Sequence, residues 1–185
     1  GSVEVVDGNV TNWGASVLPG KGNDTVIGHE ELYDLSDGID LAYYDLSGVD
    51  GITFTVGENG TGTAVSGNGE VNDTFTFAHY FIGSQDDDIF YGSDTFDDSG
   101  QIEGFIGLEG SDQIFGGGGI DMLDYSAGST EAGINVDYSS GTVIDQWGDT
   151  DTFSGIEALR ASNSSDYISA EGHNESIAVE ARDGD

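Results

Sequence analysis

The chain alternates apolar and polar residues in very short bursts and never sustains the three-and-four spacing of an amphipathic helix. Its recurring unit is an aspartate with an apolar residue two positions on: Asp24/Val26, Asp40/Ala42, Asp73/Phe75, Asp88/Phe90, Asp112/Ile114, Asp121/Leu123, Asp151/Phe153 and Asp166/Ile168. Two-residue spacing places both members on one face of a strand of about three residues. Gly22, Gly38, Gly110 and Gly119 stand two residues before Asp24, Asp40, Asp112 and Asp121, where a tight turn calls for a residue that tolerates positive φ. Two longer alternating runs, GITFTVG (51–57) and GINVDYSSGTV (133–143), predict half-buried strands of ordinary length. The pattern predicts an all-β chain of short strands joined by glycine-rich turns.

These signals occur twice. The stretch 37–56 aligns with 118–138, matching Gly38 to Gly119, Asp40 to Asp121 and Tyr44 to Tyr125 at a constant offset of 81. Farther on, Asp73 pairs with Asp151 and Asp88 with Asp166, both at an offset of 78. Spacing reproduced inside one chain is the mark of a repeat architecture. The chain is read as an N-terminal stretch (1–18, with Gly1 and Ser2 a tag scar), a first copy (19–106) and a second copy (107–185), together forming one solenoid. The residues inserted at 93–105, and the loss of a nine-residue phase over 28–36, are expected to interrupt the stacking. The ending Arg182-Asp-Gly-Asp185 reads as a fragment of a larger protein.

Charge sharpens the picture. Lys21, Arg160 and Arg182 face 36 acids for a formal charge of −33, so self-repulsion opposes compaction unless something cationic binds. Nucleic acid and anionic membrane surfaces are excluded as partners on the same ground. No apolar run approaches the roughly 18 residues that would insert in a bilayer, and the absence of cysteine removes both disulfides and zinc–thiolate sites. Aromatic residues at 10 % argue against a disordered acidic segment. His29, His79 and His173 share no metal-ligand spacing. No nucleophile elbow, phosphate loop or Ser/His/Asp order is present, so the chain is not expected to be an enzyme.

The blocks 107–115 (GLEGSDQIF) and 116–124 (GGGGIDMLD) follow the nonapeptide G-G-x-G-x-D-x-U-x in tandem, the first departing from it only at Leu108. With PGKGNDTVI (19–27), the weaker LSDGIDLAY (35–43) and the flanking DTFSGIEALRASNSSDYISA (151–170), the chain resembles the repeats-in-toxin, or hemolysin-type, calcium-binding family over about residues 19 to 172. The motif suits calcium, a hard cation that takes six to eight oxygens from carboxylates and backbone carbonyls. Glycines let a turn aim successive carbonyls at one point, and the closing aspartate adds a carboxylate.

The resemblance implies a right-handed parallel β-roll, or irregular β-solenoid, with calcium in the turns. Each turn would stack on the one about 18 residues away, and Asp112 and Asp121 would serve ions on opposite edges. The implied ligand set is Gly20, Gly22, Asp24, Gly38, Asp40, Asp88, Gly107, Gly110, Asp112, Gly117, Gly119, Asp121, Asp151 and Asp166; Asp73 and Asp151, which lack a glycine two residues before them, have the alternative reading of structural turn formers. The implied protein folds on calcium outside the cell after type I bacterial secretion, as a monomeric segment of a larger secreted protein or adhesin. An alternative is a polysaccharide-binding module that presents Tyr43, Tyr44, Trp13 or Trp147 to a glycan.

Overall fold

The computed structural model describes residues 4–6, 16–28, 39–44, 46–94, 102–128 and 132–182. Trp13, His29 and Gly38 lie outside them. Eighteen strands are present among the described residues, with no α-helix. The N-terminal stretch contributes β1 (Glu4–Val6) and β2 (Ser16–Val17), and the first copy β3 (Thr25–Ile27), β4 (Ile39–Ala42), β5 (Ile52–Gly57), β6 (Thr61–Ser66), β7 (Asn72–Thr76), β8 (Ala78–Ile82), β9 (Ile89–Tyr91) and β10 (Ile102–Ile106). The second contributes β11 (Gln113–Phe115), β12 (Ile120–Asp124), β13 (Asn135–Asp137), β14 (Thr142–Ile144), β15 (Thr150–Ser154), β16 (Ala158–Arg160), β17 (Tyr167–Ser169) and β18 (Ala178–Glu180). A 3₁₀ turn, η1 (Glu58–Gly60), joins β5 to β6.

The strands form two sheets, and the chain crosses between them. One sheet runs β2-β4-β8-β10-β12-β16-β18, in sequence order and parallel throughout. The other runs β1-β3-β7-β6-β5-β9-β11-β15-β14-β13-β17. Its order is sequential except where β5-β6-β7 and β13-β14-β15 fold back as antiparallel blocks. Both long alternating runs therefore lie within this sheet. The residues inserted after β9 do not break the stack, because β10 sits in register between β8 and β12.

Short strands suffice because each contributes one inward apolar residue to a common layer. Val26, Phe75, Phe54, Phe90 and Ile114 from the mixed sheet meet Leu41, Phe81, Phe105, Leu123 and Leu159 from the parallel one, all at most 1 % exposed. Phe90 is the hinge of this layer. Its ring stacks on Phe54 at 4.9 Å between centroids and meets the Phe105 ring edge-on at 5.7 Å. Full burial of a side chain this size is worth roughly 1.5–3 kcal/mol, so one residue per strand can hold a three-residue strand in place.

The outer face of the parallel sheet carries a polar clamp. Tyr80 on β8 lies across Gly104 on β10, where a Cβ would overlap the ring, and its hydroxyl donates to Asp124 Oδ2 on β12 at 2.6 Å. Arg160 on β16 donates to the same oxygen at 2.8 Å and to Glu180 on β18 at 2.9 Å. One hydrogen-bonded chain thus spans five adjacent strands.

Truncating Phe90 to alanine removes the contact that joins the two sheets in the middle of the stack. The expected loss is about 3–5 kcal/mol, measured by denaturant unfolding under conditions in which the parent chain is fully folded.

Candidate functional site: two rows of buried carboxylates

Where the chain enters the mixed sheet, the motif aspartates line up in register. Asp24 and Asp73 are neighbours through β3 and β7, and Asp88, Asp112 and Asp151 through β9, β11 and β15. The stacked residues are 49, 24 and 39 apart in sequence, not the 18 expected, because loops and hairpin blocks intervene. Every carboxylate in this row except that of Asp166 is at least 96 % buried.

One bond repeats along the row. Asp24 N–H donates to Asp73 Oδ1 at 2.7 Å, Asp88 N–H to Asp112 Oδ1 at 2.8 Å and Asp112 N–H to Asp151 Oδ1 at 3.0 Å. Ile52 N–H serves Asp88 Oδ1 at 2.5 Å, and Ile134 N–H serves Asp166 Oδ1 at 2.8 Å. At every parallel step from β3 to β17, then, a carboxylate accepts a main-chain N–H from the preceding strand. The opposite strand end supplies what faces the carboxylate. Tyr43 donates to Asp73 Oδ2 at 2.9 Å and Tyr125 to Asp151 Oδ2 at 2.7 Å. Gly107 lies so close to Asp112 that a Cβ would overlap its Oδ2, which is why that position is glycine. Ser84 and Ser162 donate to Asp88 and Asp166 in the two copies, at 2.9 and 2.6 Å.

Asp73 and Asp151 therefore have both oxygens engaged within the protein. Asp112 does not: its Oδ2 is buried with no partner. Burial, reinforced by Asp151, pushes the Asp112 carboxyl up to about 9. Burial likewise raises Asp88 and Asp151 to about 7.

A second row lies where the chain passes into the parallel sheet. Glu103 on β10 and Asp121 on β12 are register partners 18 residues apart, and Glu157 stands one residue before β16, its N–H donating to Asp121 O at 3.1 Å. Asp112 and Asp121 thus occupy opposite edges. Glu103 is 0 % exposed and Asp121 1 %. Ser93 N–H donates to Glu103 Oε2 at 2.8 Å and Asp121 N–H to Glu157 Oε2 at 3.0 Å. Three oxygens are left buried with no partner: Glu103 Oε1 and both carboxylate oxygens of Asp121. Burial, with Glu103 and Glu157 alongside, raises Asp121 to about 8, and burial raises Glu103 to about 7.

Stacked glycine corners press on this row. A Cβ at Gly92 would overlap the Gly116 carbonyl oxygen and lie 2.8 Å from Glu103 Oε2. A Cβ at Gly116 would overlap the Gly155 carbonyl oxygen and lie 2.7 Å from Asp121 Oδ2. Gly117 and Gly119 hold φ of 97° and 115° in the same corner. Carboxylate and carbonyl oxygens of successive turns are therefore packed together there.

The remaining predicted positions fall outside these rows or at their margins. Gly20 and Gly22 hold φ of 84° and 134° in the turn before Asp24, and Gly110, at 113°, packs on the Asp86 carbonyl. Asp40 does not join Asp121. Leu41 takes the inward position equivalent to Leu123, Ile39 that of Asp121, and Asp40 faces outward beside Tyr80. A one-residue slip in the alignment transfers a side chain to the other face of a strand. The same slip makes Tyr43, not Tyr44, the counterpart of Tyr125. Tyr43 is 1 % exposed and is no glycan platform. Trp147 is half-buried beside Ile106, Leu108 and Tyr125. Glu103 and Glu157 were not among the predicted ligands, although Gly155-x-Glu157 and the 18-residue step from Glu103 to Asp121 were legible signals.

Among the described residues, no three His, Cys, Asp or Glu side chains converge as a metal group. A calcium shell draws much of its oxygen from backbone carbonyls and does not require three such side chains. No protein-family model matches the chain, and no curated protein matches it.

Raised carboxyl values carry a definite sign. The metal-free folded state holds protons that the unfolded chain releases from 3.8 for aspartate and 4.5 for glutamate upward. Stability therefore falls as pH rises, until the folded groups themselves ionise at about 7 to about 9. In chelator the urea midpoint should fall as the pH is raised from about 4, reaching zero where the metal-free chain no longer folds.

Proposed function

We propose that this segment is a calcium-dependent folding module, a β-roll or irregular β-solenoid of the repeats-in-toxin kind, within a larger secreted or cell-surface bacterial protein. The observation that carries the reading is the trio of orphaned oxygens on Glu103 and Asp121, buried beside glycine-turn carbonyls in a chain of charge −33. Alternation of the chain between two sheets, parallel at every step outside the hairpin blocks, supports the solenoid architecture.

The donor set fits the ion. Both edges offer only hard oxygen ligands, which suit calcium rather than zinc or copper. Glu103 and Asp121, together with carbonyls of the glycine corner, would hold an ion at one edge, and Asp112, whose Oδ2 lacks a partner, would hold one at the other. The bound ion supplies positive charge that neutralises carboxylates and ties successive corners together. Asp73 and Asp151 act differently, pinning the stack through N–H and phenol bonds that need no metal. Extracellular calcium is millimolar and modules outside cells bind with dissociation constants on the order of 10⁻⁴ to 10⁻³ M. Such a chain stays unfolded before export by a type I system and folds afterwards, since binding energy is folding energy.

The test is circular dichroism with thermal melting after chelation, followed by calcium titration and by magnesium as the control. Calcium should restore β signal and raise the melting temperature, while magnesium, which demands a strict octahedron, should not. Asp121→Asn should have opposite effects in the two states. It removes an unpaired buried charge and stabilises the chelated protein at pH 8, yet it weakens the calcium response by about tenfold in midpoint concentration, a ligand worth about 1.4 kcal/mol. Full β signal and an unchanged melt in chelator would overturn the reading.

A further inference from the structure

The two copies differ at one place where the fold does not require it. In the first copy the mouth between the sheets at the β5–β6 hairpin tip is closed. There η1 packs on β7 and β8, Phe77 N–H donates to Asn59 O at 3.2 Å, and Phe77 holds its side chain at a φ of 59°. Beneath it Phe75 is 1 % exposed. The equivalents in the second copy are Gly155, at a φ of 64°, and Phe153, which is only half-buried. No 3₁₀ turn covers that hairpin, and a cavity of about 320 Å³ opens there.

We infer that this cavity binds a neutral hexose unit of a glycan. Three rings form its apolar corner: Phe153 meets Tyr138 edge-on at 5.1 Å between centroids, and Tyr138 meets His173 at 5.4 Å. Ser140, Ser154 and Glu175 supply hydroxyl and carboxylate groups around it. The Tyr138 hydroxyl is buried and has no partner, although the first copy shows that an aliphatic residue, Val56, serves the fold at the equivalent position. An unpaired phenol beside a cavity is a polar handle waiting for a ligand hydroxyl. The volume falls within the range of small-molecule sites, about 300–1,000 Å³, and alternating apolar faces and hydroxyls are the two surfaces a hexose ring presents. The charge of −33 and Glu175 at the rim select against uronates and sulfated sugars.

The site uses none of the carboxylates assigned to calcium, so its test separates from that of the module. Protein shown to be folded by near-UV circular dichroism is titrated with methyl glucoside, galactoside and mannoside, with glucuronate alongside, and followed by saturation-transfer NMR. At least one neutral glycoside should bind with a dissociation constant on the order of 1 mM. Ser140→Trp, which plugs the mouth, should weaken it at least tenfold with melting temperature and calcium response unchanged, and Tyr138→Phe by about fivefold with a melting temperature that rises rather than falls, because a buried hydroxyl without a partner is removed. No saturation by any of the three glycosides, equal binding of glucuronate, or undiminished binding in the Ser140→Trp protein would each overturn the proposal. Binding that persists in a protein indifferent to calcium would leave the proposal standing and remove only the folding module.

Discussion

Buried carboxylates without cations to pair them are the constraint on which this structure turns. A chain with three basic residues cannot answer its acids with ion pairs, and among the described residues only Asp124 combines full burial with a guanidinium, Arg160 at 2.8 Å. The rest must be met by main-chain N–H groups, hydroxyls, protons or bound cations. A hydrogen bond to a charged group is worth about 1.5–3 kcal/mol, whereas an unpaired buried charge costs several. A carboxylate with two such bonds can remain in the core. One with none is a liability until something arrives to neutralise it.

The mixed sheet resolves the problem by geometry. Parallel pairing brings each aspartate beside the N–H of the preceding strand, so the same contact is regenerated at every step without any change in sequence. The two copies then add the same supplements, tyrosine at Asp73 and Asp151 and serine at Asp88 and Asp166. Repetition of these contacts, more than repetition of the sequence itself, defines the module, because the contacts stay matched while the offset moves from 82 at Tyr43 and Tyr125 to 78 at Asp73 and Asp151.

Much of this was legible in the residues. Period-two placement of apolar residues after aspartate announced strands of three residues, and the inward rows of Phe75, Phe90 and Ile114 follow from it directly. The opposite edges of Asp112 and Asp121 were what the resemblance implied for residues nine apart. The hairpin blocks did not, since alternation specifies which face is buried but not which strand lies alongside. Asp40 misled because a shared Gly-x-Asp spelling outweighed the flanking Ile39 and Leu41, whose burial fixes the face. Glu103 and Glu157 were overlooked because the motif is written with aspartate, although either carboxylate can occupy the same register position.

The second row is satisfied only in part. The longer side chains of Glu103 and Glu157 reach past their own strand to the N–H groups of Ser93 and Asp121, and each spends one oxygen there. Asp121, between them and one methylene shorter, reaches no donor. Its two neighbours add negative charge instead of relief, as the direction of its shift records. An edge whose bonds are complete holds its strands whatever surrounds it, but an edge left incomplete holds them only as firmly as its missing partner does. The fold thereby combines a seam whose carboxylates are fully hydrogen-bonded, along Asp73 and Asp151, with one at Asp121 whose two buried oxygens have no partner.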